Sequence, residues 1–234
     1  MADIVEFKNV IKEYIVGEHK LRAVDGISFS IAEGEFIVVL GPSGAGKSTV
    51  LNLLGGMDTV TSGEIMVNGK NIAGLSDNAL TEYRAESVGF VFQFYNLIPT
   101  LTAYENIALT KDIVKKPLDA SELLDMVGLK SHANQFPSQL SGGEQQRISI
   151  ARAIAKNPAI LLCDEPTGAL DSETGIMILT MLQKMSREKN KAVVIVTHNA
   201  VLAEAADRVI RIKNGKIREI IKNDSPKAIS EVNW

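Results

Sequence analysis

The sequence predicts an α/β fold in which helices cover both faces of a mainly parallel sheet. Strand-sized apolar runs, such as residues 36–40, 159–163 and 192–196, alternate with segments whose apolar residues have helical spacing. This alternation is typical of parallel sheets, whose strands are buried on both faces and are therefore continuously hydrophobic. The chain has 234 residues, of which 45% are hydrophobic, so it can bury one sizeable core. These observations predict a single domain over residues 1–234.

The first elements mix exposed and buried strands. Residues 4–10 and 26–31 combine apolar and polar positions as half-exposed strands do, whereas residues 36–40 predict a fully buried strand. The elements that follow are a helix over residues 47–54, a strand over 64–67, a helix over 76–85 that Ser76 caps, and a strand over 88–92.

The alternation of strands and helices stops over residues 94–139. Helical spacing at residues 103–111 and 119–126 predicts an inserted helical subdomain there. The elements predicted beyond it are a helix over 143–155, a strand over 159–163, a helix over 174–188, a strand over 192–196, a short helix over 201–206, and strands over 209–212 and 217–221 around an Asn-Gly turn. Residues 222–234 continue none of these patterns and are predicted to form a disordered tail.

Composition and charge argue against several classes of protein. Lys and Arg number 25 against 28 Asp and Glu, for a formal net charge of -3, so no basic field favours nucleic acid. The single cysteine, Cys163, cannot form an internal disulfide, and its place in an apolar strand predicts a buried, unreactive thiol. No apolar run approaches the ~18–20 residues of a membrane-spanning helix, and the first residues lack the pattern of a secretory signal. We therefore expect a cytoplasmic protein.

A glycine-rich loop follows the buried strand and opens the next helix. Residues 41–49 read Gly-Pro-Ser-Gly-Ala-Gly-Lys-Ser-Thr and satisfy the G-x-x-x-x-G-K-[ST] pattern in the strand-loop-helix context that it requires. Backbone N–H groups of such a loop cradle phosphate oxygens, and the helix N-terminus favours negative charge. We expect Lys47 to contact the β- and γ-phosphates and the Ser48 hydroxyl to bind Mg²⁺. The predicted nucleotide-binding residues of the loop are Gly41, Ser43, Gly44, Ala45, Gly46, Lys47, Ser48 and Thr49.

Two adjacent acids end the apolar strand at residues 159–163. Because ligands of such sheets bind beyond the carboxyl ends of the strands, we expect both acids to lie near the glycine-rich loop. Asp164 is predicted to bind Mg²⁺, directly or through water, and Glu165 to orient and deprotonate an attacking water. The alternative is an exposed acidic turn.

A third motif, Leu-Ser-Gly-Gly-Glu-Gln-Gln-Arg, occupies residues 140–147. It resembles the signature motif of the ATP-binding-cassette (ABC) ATPases. Together with the glycine-rich loop, the acid-ended strand, Gln93 and His198, the resemblance covers nearly the whole chain in the family's order. It implies a P-loop NTPase fold, that of an ABC ATPase nucleotide-binding domain with an N-terminal antiparallel β part and the helical subdomain. It also implies that the chain binds ATP and Mg²⁺ and hydrolyses ATP.

The resemblance assigns further roles within one protomer. Gln93 is similar to the Q-loop glutamine that senses Mg²⁺ and the attacking water. His198 is similar to the switch histidine that contacts the γ-phosphate. Tyr14 lies in the segment where the family places an aromatic side chain that stacks on adenine, with core packing as the alternative.

Other residues are expected to act on the nucleotide of a second protomer. Ser141, Gly142 and Gly143 resemble the site that binds, in trans, the γ-phosphate of ATP held by the partner, which implies a head-to-tail homodimer around two ATP molecules. Asp171 lies in a segment similar to the D-loop, which touches the partner's site, although it could instead cap the following helix.

Residues 92–99, 101–106 and 166–171 are similar to the lipoprotein-releasing and macrolide-exporting (LolD/MacB-like, FtsE-related) ATPases. The resemblance implies a membrane permease as partner, and a location on the inner face of the cell membrane. The alternative is a soluble ABC ATPase acting on nucleic acid or ribosomes. That class generally has two cassettes or a long coiled-coil insertion, neither of which is seen here, and no direct contact with nucleic acid is expected. A regulatory partner that hydrolyses little ATP conflicts with the presence of Glu165 and His198.

Overall fold

The strands form two sheets in the computed structural model, which describes residues 3–168 and 170–233. The N-terminal sheet is antiparallel, with the order β2-β1-β4-β5, as the resemblance implied. The larger sheet has the order β10-β9-β3-β8-β7-β6. The strands are β1 (Asp3–Val16), β2 (His19–Ala32), β3 (Phe36–Leu40), β4 (Ser62–Val67), β5 (Lys70–Asn71), β6 (Val88–Val91), β7 (Ile160–Asp164), β8 (Ala192–Thr197), β9 (Arg208–Lys213) and β10 (Lys216–Lys222).

The larger sheet is parallel except for the pairing of β9 with β10. Its central strand β3 is buried along its whole length, because side chains on both of its faces enter a core. Phe36 and Val38 belong to the core on one side of the sheet, and Ile37 and Val39 to the core on the other. This alternation explains the continuously apolar sequence of the strand and confirms the predicted fold class.

Helices complete the two cores on either side of the larger sheet. The core with Phe36 is formed largely by α3 to α6, and the core with Ile37 by α1, α2 and the N-terminal sheet. Among the described helices none has both the length and the apolar character needed to cross a bilayer. The helices are α1 (Lys47–Leu54), α2 (Asp77–Glu86), α3 (Ala103–Ala108), α4 (Ala120–Met126), α5 (Gly142–Ala155) and α6 (Ser172–Lys189).

The hairpin of β1 and β2 is longer than the sequence predicted. Its register pairs Tyr14 with Leu21 and Glu13 with Arg22, well beyond the expected ends of both strands. Ile15 and Val16 near its tip are exposed, so the apolar residues there follow no alternation that would reveal a strand.

Between β6 and α5 the described chain forms helices and turns without strands. The single helix expected over residues 103–111 ends at Ala108 and continues as a 3₁₀ turn, Leu109–Asp112. The Thr110 hydroxyl donates to the carbonyl oxygen of Ile107 (3.0 Å) and so competes for a backbone acceptor of the helix. The division of the chain into a single domain with a helical subdomain at residues 94–139 stays a prediction.

Residues 223–233 pack against α6, which corrects the prediction of a disordered tail. Gln183 of α6 donates to the carbonyl oxygen of Lys227 (2.9 Å) and accepts from the backbone N–H of Ile229 (3.1 Å). The side chains of Ile229 and Val232 are buried in the same core as Phe36. They are three positions apart in the sequence, so a short 3₁₀ turn at Ile229–Glu231 brings both to one side. Trp234 lies outside the described residues.

Candidate functional site

The glycine-rich loop joins β3 to α1 at the carboxyl edge of the parallel sheet. Gly46, the residue before α1, has a φ of +100°, and a Cβ there would collide with the carbonyl oxygen of Ala23. Only glycine, which has no Cβ, adopts this positive φ readily and avoids the collision. No side chain caps this described end of α1, so its first N–H groups are left to bind an anion.

The Lys47 side chain lies within this loop. Its ammonium group donates to the carbonyl oxygens of Gly41 (2.8 Å) and Pro42 (3.0 Å), and the residue is only 9% exposed. The loop therefore holds a fixed cation beside the N–H groups that begin α1. The predicted contact of Lys47 with the β- and γ-phosphates stays a prediction.

A cleft of ≈ 420 Å³ brings the predicted catalytic and metal-binding residues together. They come from the loop before α1 and from the ends of β6, β7 and β8, as expected for a ligand site at the carboxyl edge of a parallel sheet. The cleft is lined by Ser43, Gly44, Lys47, Ser48, Gln93, Asp164, Glu165, Gly168, Val196 and His198.

Ser48 and Asp164 present two oxygens to this cleft. The Ser48 hydroxyl donates to Oδ1 of Asp164 (3.3 Å). Burial raises the pKa of the Asp164 carboxyl, and the hydrogen bond from Ser48 only partly offsets this effect. Mg²⁺ in nucleotide sites is held by one or two protein oxygens together with phosphates and water, so this pair fits the ion. No group of three His, Cys, Asp or Glu side chains able to bind a metal is found among residues 3–168 and 170–233.

The Glu165 carboxylate is oriented by residues at the end of β8. Its Oε2 accepts from the Thr197 hydroxyl (2.9 Å), and its Oε1 accepts from the backbone N–H of His198 (3.0 Å). The Nδ1 atom of His198 lies 2.8 Å from the same Oε1. Glu165 has a φ of +46°, a strained conformation for this residue type that these contacts maintain. The cleft therefore contains a fixed carboxylate beside an exposed imidazole.

Gln93 follows β6 and is exposed where it lines the cleft. The segments around it are joined by Gln146 of α5, whose side-chain amide donates to the carbonyl oxygens of Phe92 (3.4 Å) and Pro166 (3.1 Å). Sequence reasoning missed both Gln146 and Thr197. Thr197 could have been found as the polar end of the strand that precedes His198.

A second cleft of ≈ 520 Å³ lies on the other side of the loop and contains Tyr14. It shares Gly44, Lys47 and Ser48 with the first cleft, so both open on the same phosphate loop. Tyr14 belongs to the β1 to β2 hairpin and is half-buried where the hairpin lines this cleft. The cleft is lined by Tyr14, Leu21, Arg22, Ala23, Gly44, Ala45, Gly46, Lys47, Ser48, Thr49, Asn214 and Gly215. Apart from Tyr14, the residues that the hairpin and the β9 to β10 turn contribute were not predicted. They are Leu21, Arg22, Ala23, Asn214 and Gly215.

The signature motif lies at the start of α5 and lines neither of these two clefts. Ser141 caps the helix, because its hydroxyl accepts from the backbone N–H of Glu144 (3.3 Å). The Glu144 carboxylate in turn accepts from the Ser141 backbone N–H (2.7 Å), and this hydrogen bond lowers the pKa of Glu144. Gly142 and Gly143 form the first helical turn. The structure thus places the start of α5 apart from both clefts, and the expected contact of this helix end with a phosphate stays a prediction.

Asp171 caps α6, which is one of the two roles expected from the sequence. Its carboxylate accepts from the backbone N–H of Thr174 (2.9 Å), and this bond holds the pKa of Asp171 below its usual range. Gly168 of the same segment lines the catalytic cleft, whereas Ala169 lies outside the described residues. Capping and contact with a second protomer are compatible, so the role in trans stays a prediction.

The family whose sequence model is described as ABC transporter matches residues 24–168, which is more than half of the chain. The chain belongs to the ABC transporter family. The solved structure of the ATP-binding cassette MJ0796 of Methanocaldococcus jannaschii, described as a dimeric post-hydrolysis state bound to ADP and Pi, is 44% identical. It superposes with a TM-score of 0.88 over 93% of this chain and 98% of that one. The ABC transporter fold of this chain is therefore shared with a cassette of known dimeric structure.

Two relatives extend well beyond this ABC transporter domain. An ABC transporter ATP-binding protein of Mycoplasma pneumoniae is 42% identical over 99% of this chain, but the match covers only 50% of that protein. The macrolide export ATP-binding/permease protein MacB of Shigella flexneri is 42% identical over 100% of this chain, and the match covers 36% of MacB. The chain thus spans about half the length of the Mycoplasma relative.

Proposed function

We propose that this chain binds and hydrolyses ATP with Mg²⁺ as the ATP-binding subunit of an ABC transporter. The observation that carries the proposal is the convergence of Lys47, Ser48, Asp164, Glu165 and His198 on one cleft. Phosphoryl transfer to water needs a cation at the phosphates, oxygen ligands for Mg²⁺ and a group that orients the water. The cleft contains each of these groups, and the cleft beside Tyr14 accommodates the base.

In this proposal Glu165 is the general base that takes the proton of the attacking water. A carboxylate has about four acceptor positions, and the contacts with Thr197 and His198 use three of them. One acceptor position is left for the water, and the contacts with Thr197 and His198 fix the direction in which that position points. Gln93, which follows the neighbouring parallel strand β6, orients the same water.

The remaining residues act on the phosphates. Lys47 leaves the carbonyl oxygens of its loop to bind the β- and γ-phosphates, and His198 contacts the γ-phosphate. Ser48 and Asp164 would hold Mg²⁺, which when bound neutralises charge on the phosphates. The N–H groups that begin α1 bind the phosphate oxygens.

A second copy of the chain completes each site in the proposed dimer. Ser141, Gly142 and Gly143 form an anion-binding helix end that no nucleotide bound in the same chain would need. Two copies related by a twofold axis each present this end to the other's nucleotide, with Asp171 alongside. The dimeric cassette MJ0796, bound to ADP and Pi, supports this arrangement.

The proposed membrane partner is a permease of the LolD/MacB type, which would hold the chain on the cytoplasmic face. A groove of ≈ 280 Å³ beside the 3₁₀ turn that follows α3 supports this proposal. Arg84, Arg152 and Lys156 line it, and among the described residues none of the three pairs with an acid. Burial, together with the two neighbouring arginines, lowers the pKa of Lys156 to about 8. Phe90 and Ile113 supply apolar surface, so the groove suits a short helix with an acidic side chain.

The Glu165→Gln variant tests the proposed chemistry. Removing a general base while preserving the shape of the side chain should reduce ATP hydrolysis by a factor on the order of 10² to 10⁴. ATP affinity should be retained, and the variant should form a dimer with ATP in sedimentation velocity. The control Glu219→Gln, which changes an exposed residue of β10, should hydrolyse ATP as wild type does. Normal turnover by Glu165→Gln would overturn the assignment of the base.

The same variant can identify the partner. With ATP, Glu165→Gln should retain a permease with a large extracytoplasmic domain from detergent-solubilised membranes. Adding Lys156→Glu should abolish this retention by repelling an acidic helix, whereas Lys115→Glu, a change at an exposed residue, should not. Ribosomal or DNA-associated proteins in place of a permease would contradict the proposal.

A further inference from the structure

Tyr14 is held by two residues that lie outside the nucleotide cleft. Its hydroxyl donates to Oδ2 of Asp58 (2.7 Å), and the Nζ atom of Lys12 lies 4.9 Å from the centroid of its ring. Neither Lys12 nor Asp58 lines the cleft that Tyr14 shares with the phosphate loop. The ring is therefore fixed both at its hydroxyl and at one face.

Lys12 and Asp58 are themselves held together. The Lys12 ammonium donates to Oδ1 of Asp58 (2.5 Å) and to the carbonyl oxygen of Thr59 (2.8 Å), and its side chain is only 12% exposed. The Thr59 backbone N–H donates to the same Oδ1 (2.7 Å). Burial opposes ionisation of Asp58, but the hydrogen bonds from Lys12 and Tyr14 hold the pKa of Asp58 below its usual range. Both carboxylate oxygens are engaged, so the pair forms a rigid support that joins β1 to the turn after α1.

We propose that Lys12 and Asp58 are positioning residues that fix the plane of the Tyr14 ring and thereby increase affinity for the base of the nucleotide. The inference rests on the proposed function, because it takes Tyr14 as the stacking residue. Stacking requires the ring face to be parallel to the base, and an aromatic ring that is already fixed loses no rotational freedom on binding. The ammonium group of Lys12 covers one face of the ring, which leaves the other for the base.

Comparing ADP with inorganic pyrophosphate isolates the contribution of the base. Both ligands occupy the phosphate loop with Mg²⁺, but only ADP has a base, and neither has the γ-phosphate proposed to bring two protomers together. By titration calorimetry, Asp58→Ala and Lys12→Met should each weaken ADP binding about 3- to 10-fold, the loss expected when one side chain must be ordered on binding. Their affinity for pyrophosphate should stay within about twofold of wild type.

Two variants of Tyr14 complete the test. Tyr14→Phe removes the hydroxyl that Asp58 holds, so its effect on ADP should equal that of Asp58→Ala, and the double variant should be no weaker than either single one. Tyr14→Ala should weaken ADP binding by a factor on the order of 5 to 100, with pyrophosphate binding unchanged. Lys8→Met is the matched control, because Lys8 lies on the same strand in an exposed pair with Glu6. The Lys8→Met protein should bind ADP as wild type does.

The outcomes distinguish an error in this inference from an error in the proposed base site at Tyr14. If Tyr14→Ala weakens ADP binding while Asp58→Ala and Lys12→Met do not, Tyr14 stacks on the base without their help and the inference is wrong. If Tyr14→Ala has no effect on ADP, the proposed base site itself is wrong. Equal losses of ADP and pyrophosphate in Asp58→Ala would show that the pair supports the phosphate loop, which also overturns the inference.

Discussion

Asp164 and Glu165 are adjacent in sequence but differ in their surroundings. The Glu165 carboxylate accepts hydrogen bonds from Thr197 and from the backbone of His198, whereas Asp164 accepts one long bond from Ser48. Burial therefore raises the pKa of Asp164, and the neighbouring Glu165 adds to the effect. A carboxylate whose negative charge is offset by so few hydrogen bonds is suited to binding a cation.

The Asp164→Asn variant should stabilise the protein when nucleotide and metal are absent. Because the pKa of Asp164 is raised in the folded state, its ionised form costs stability at neutral pH, and this cost disappears as the pH falls through the folded-state pKa. Solvent screens a half-buried charge, so we expect a Tm gain of only about 1–2 °C at pH 7.5, measured by circular dichroism. The gain should shrink as the pH falls through the raised pKa of Asp164. At pH 7.5 the variant should no longer hydrolyse ATP. The exposed control Asp224→Asn should leave the Tm unchanged; a lower Tm for Asp164→Asn would contradict the prediction.

Most site residues could be predicted from the sequence because each lies in a short motif or directly after an apolar strand. Lys47, Ser48, Asp164 and His198 are of this kind. Asp58 and Gln146 were not found, because Tyr14, Phe92 and Pro166 lie 20 to 54 residues from the side chains that they contact and meet them only through the packing of separate elements. No local pattern contains that information.

At the scale of elements, the described helices α2 to α6 each begin after a small polar residue that caps them, whereas α1 begins after Gly46 without such a cap. Ser76, Thr102, Asp119, Ser141 and Asp171 each accept a backbone N–H of the helix that follows. These local signals explain why the helix starts agree closely with the sequence predictions. The ends of the β1 to β2 hairpin and the packing of residues 223–233 depend on contacts with distant segments, and were mispredicted.

Substitution of Asp171 separates capping of α6 from contact with a second protomer. Asp171→Ala removes the acceptor for the Thr174 backbone N–H and should lower the Tm by on the order of 2–4 °C. Asp171→Asn retains a good cap and should unfold close to the wild-type temperature. We expect ATP hydrolysis to fall in both variants, because the proposed contact with the partner needs the carboxylate. Full activity in a stable Asp171→Asn protein would restrict this residue to capping.

At the scale of the whole molecule, the proposed dimer requires each chain to contribute to two sites. The phosphate loop, the acids after β7 and the Tyr14 cleft face one ligand, while the start of α5 lies outside both clefts. The two halves cannot be joined within one chain without moving α5, which is packed against α3, α4 and β6. A symmetric pair of chains joins them without any such movement, and two nucleotides then contribute to one interface.

Gly143→Asp should prevent dimerisation while leaving the single chain stable. A Cβ at Gly143 meets only ordinary contacts, 3.6 Å from Leu170 and Thr174, and an acid in the first turn of α5 is favoured by the helix dipole. The same carboxylate would repel the phosphates of a nucleotide approaching from a second chain. In the Glu165→Gln background, sedimentation with ATP should show the dimer dissociation constant raised at least about tenfold, a loss of ~1.4 kcal/mol.

The control for that experiment is Gly143→Asn, which adds nearly the same volume without the charge. It should weaken the dimer less than Gly143→Asp does, because only the carboxylate repels phosphate. Both variants should bind ADP as the parent does, since Gly143 lines neither nucleotide cleft of its own chain. If Gly143→Asp instead dimerised normally with ATP, the start of α5 would not face the partner's nucleotide. The proposed head-to-tail arrangement would then be wrong, even though the chemistry within each cleft could stand.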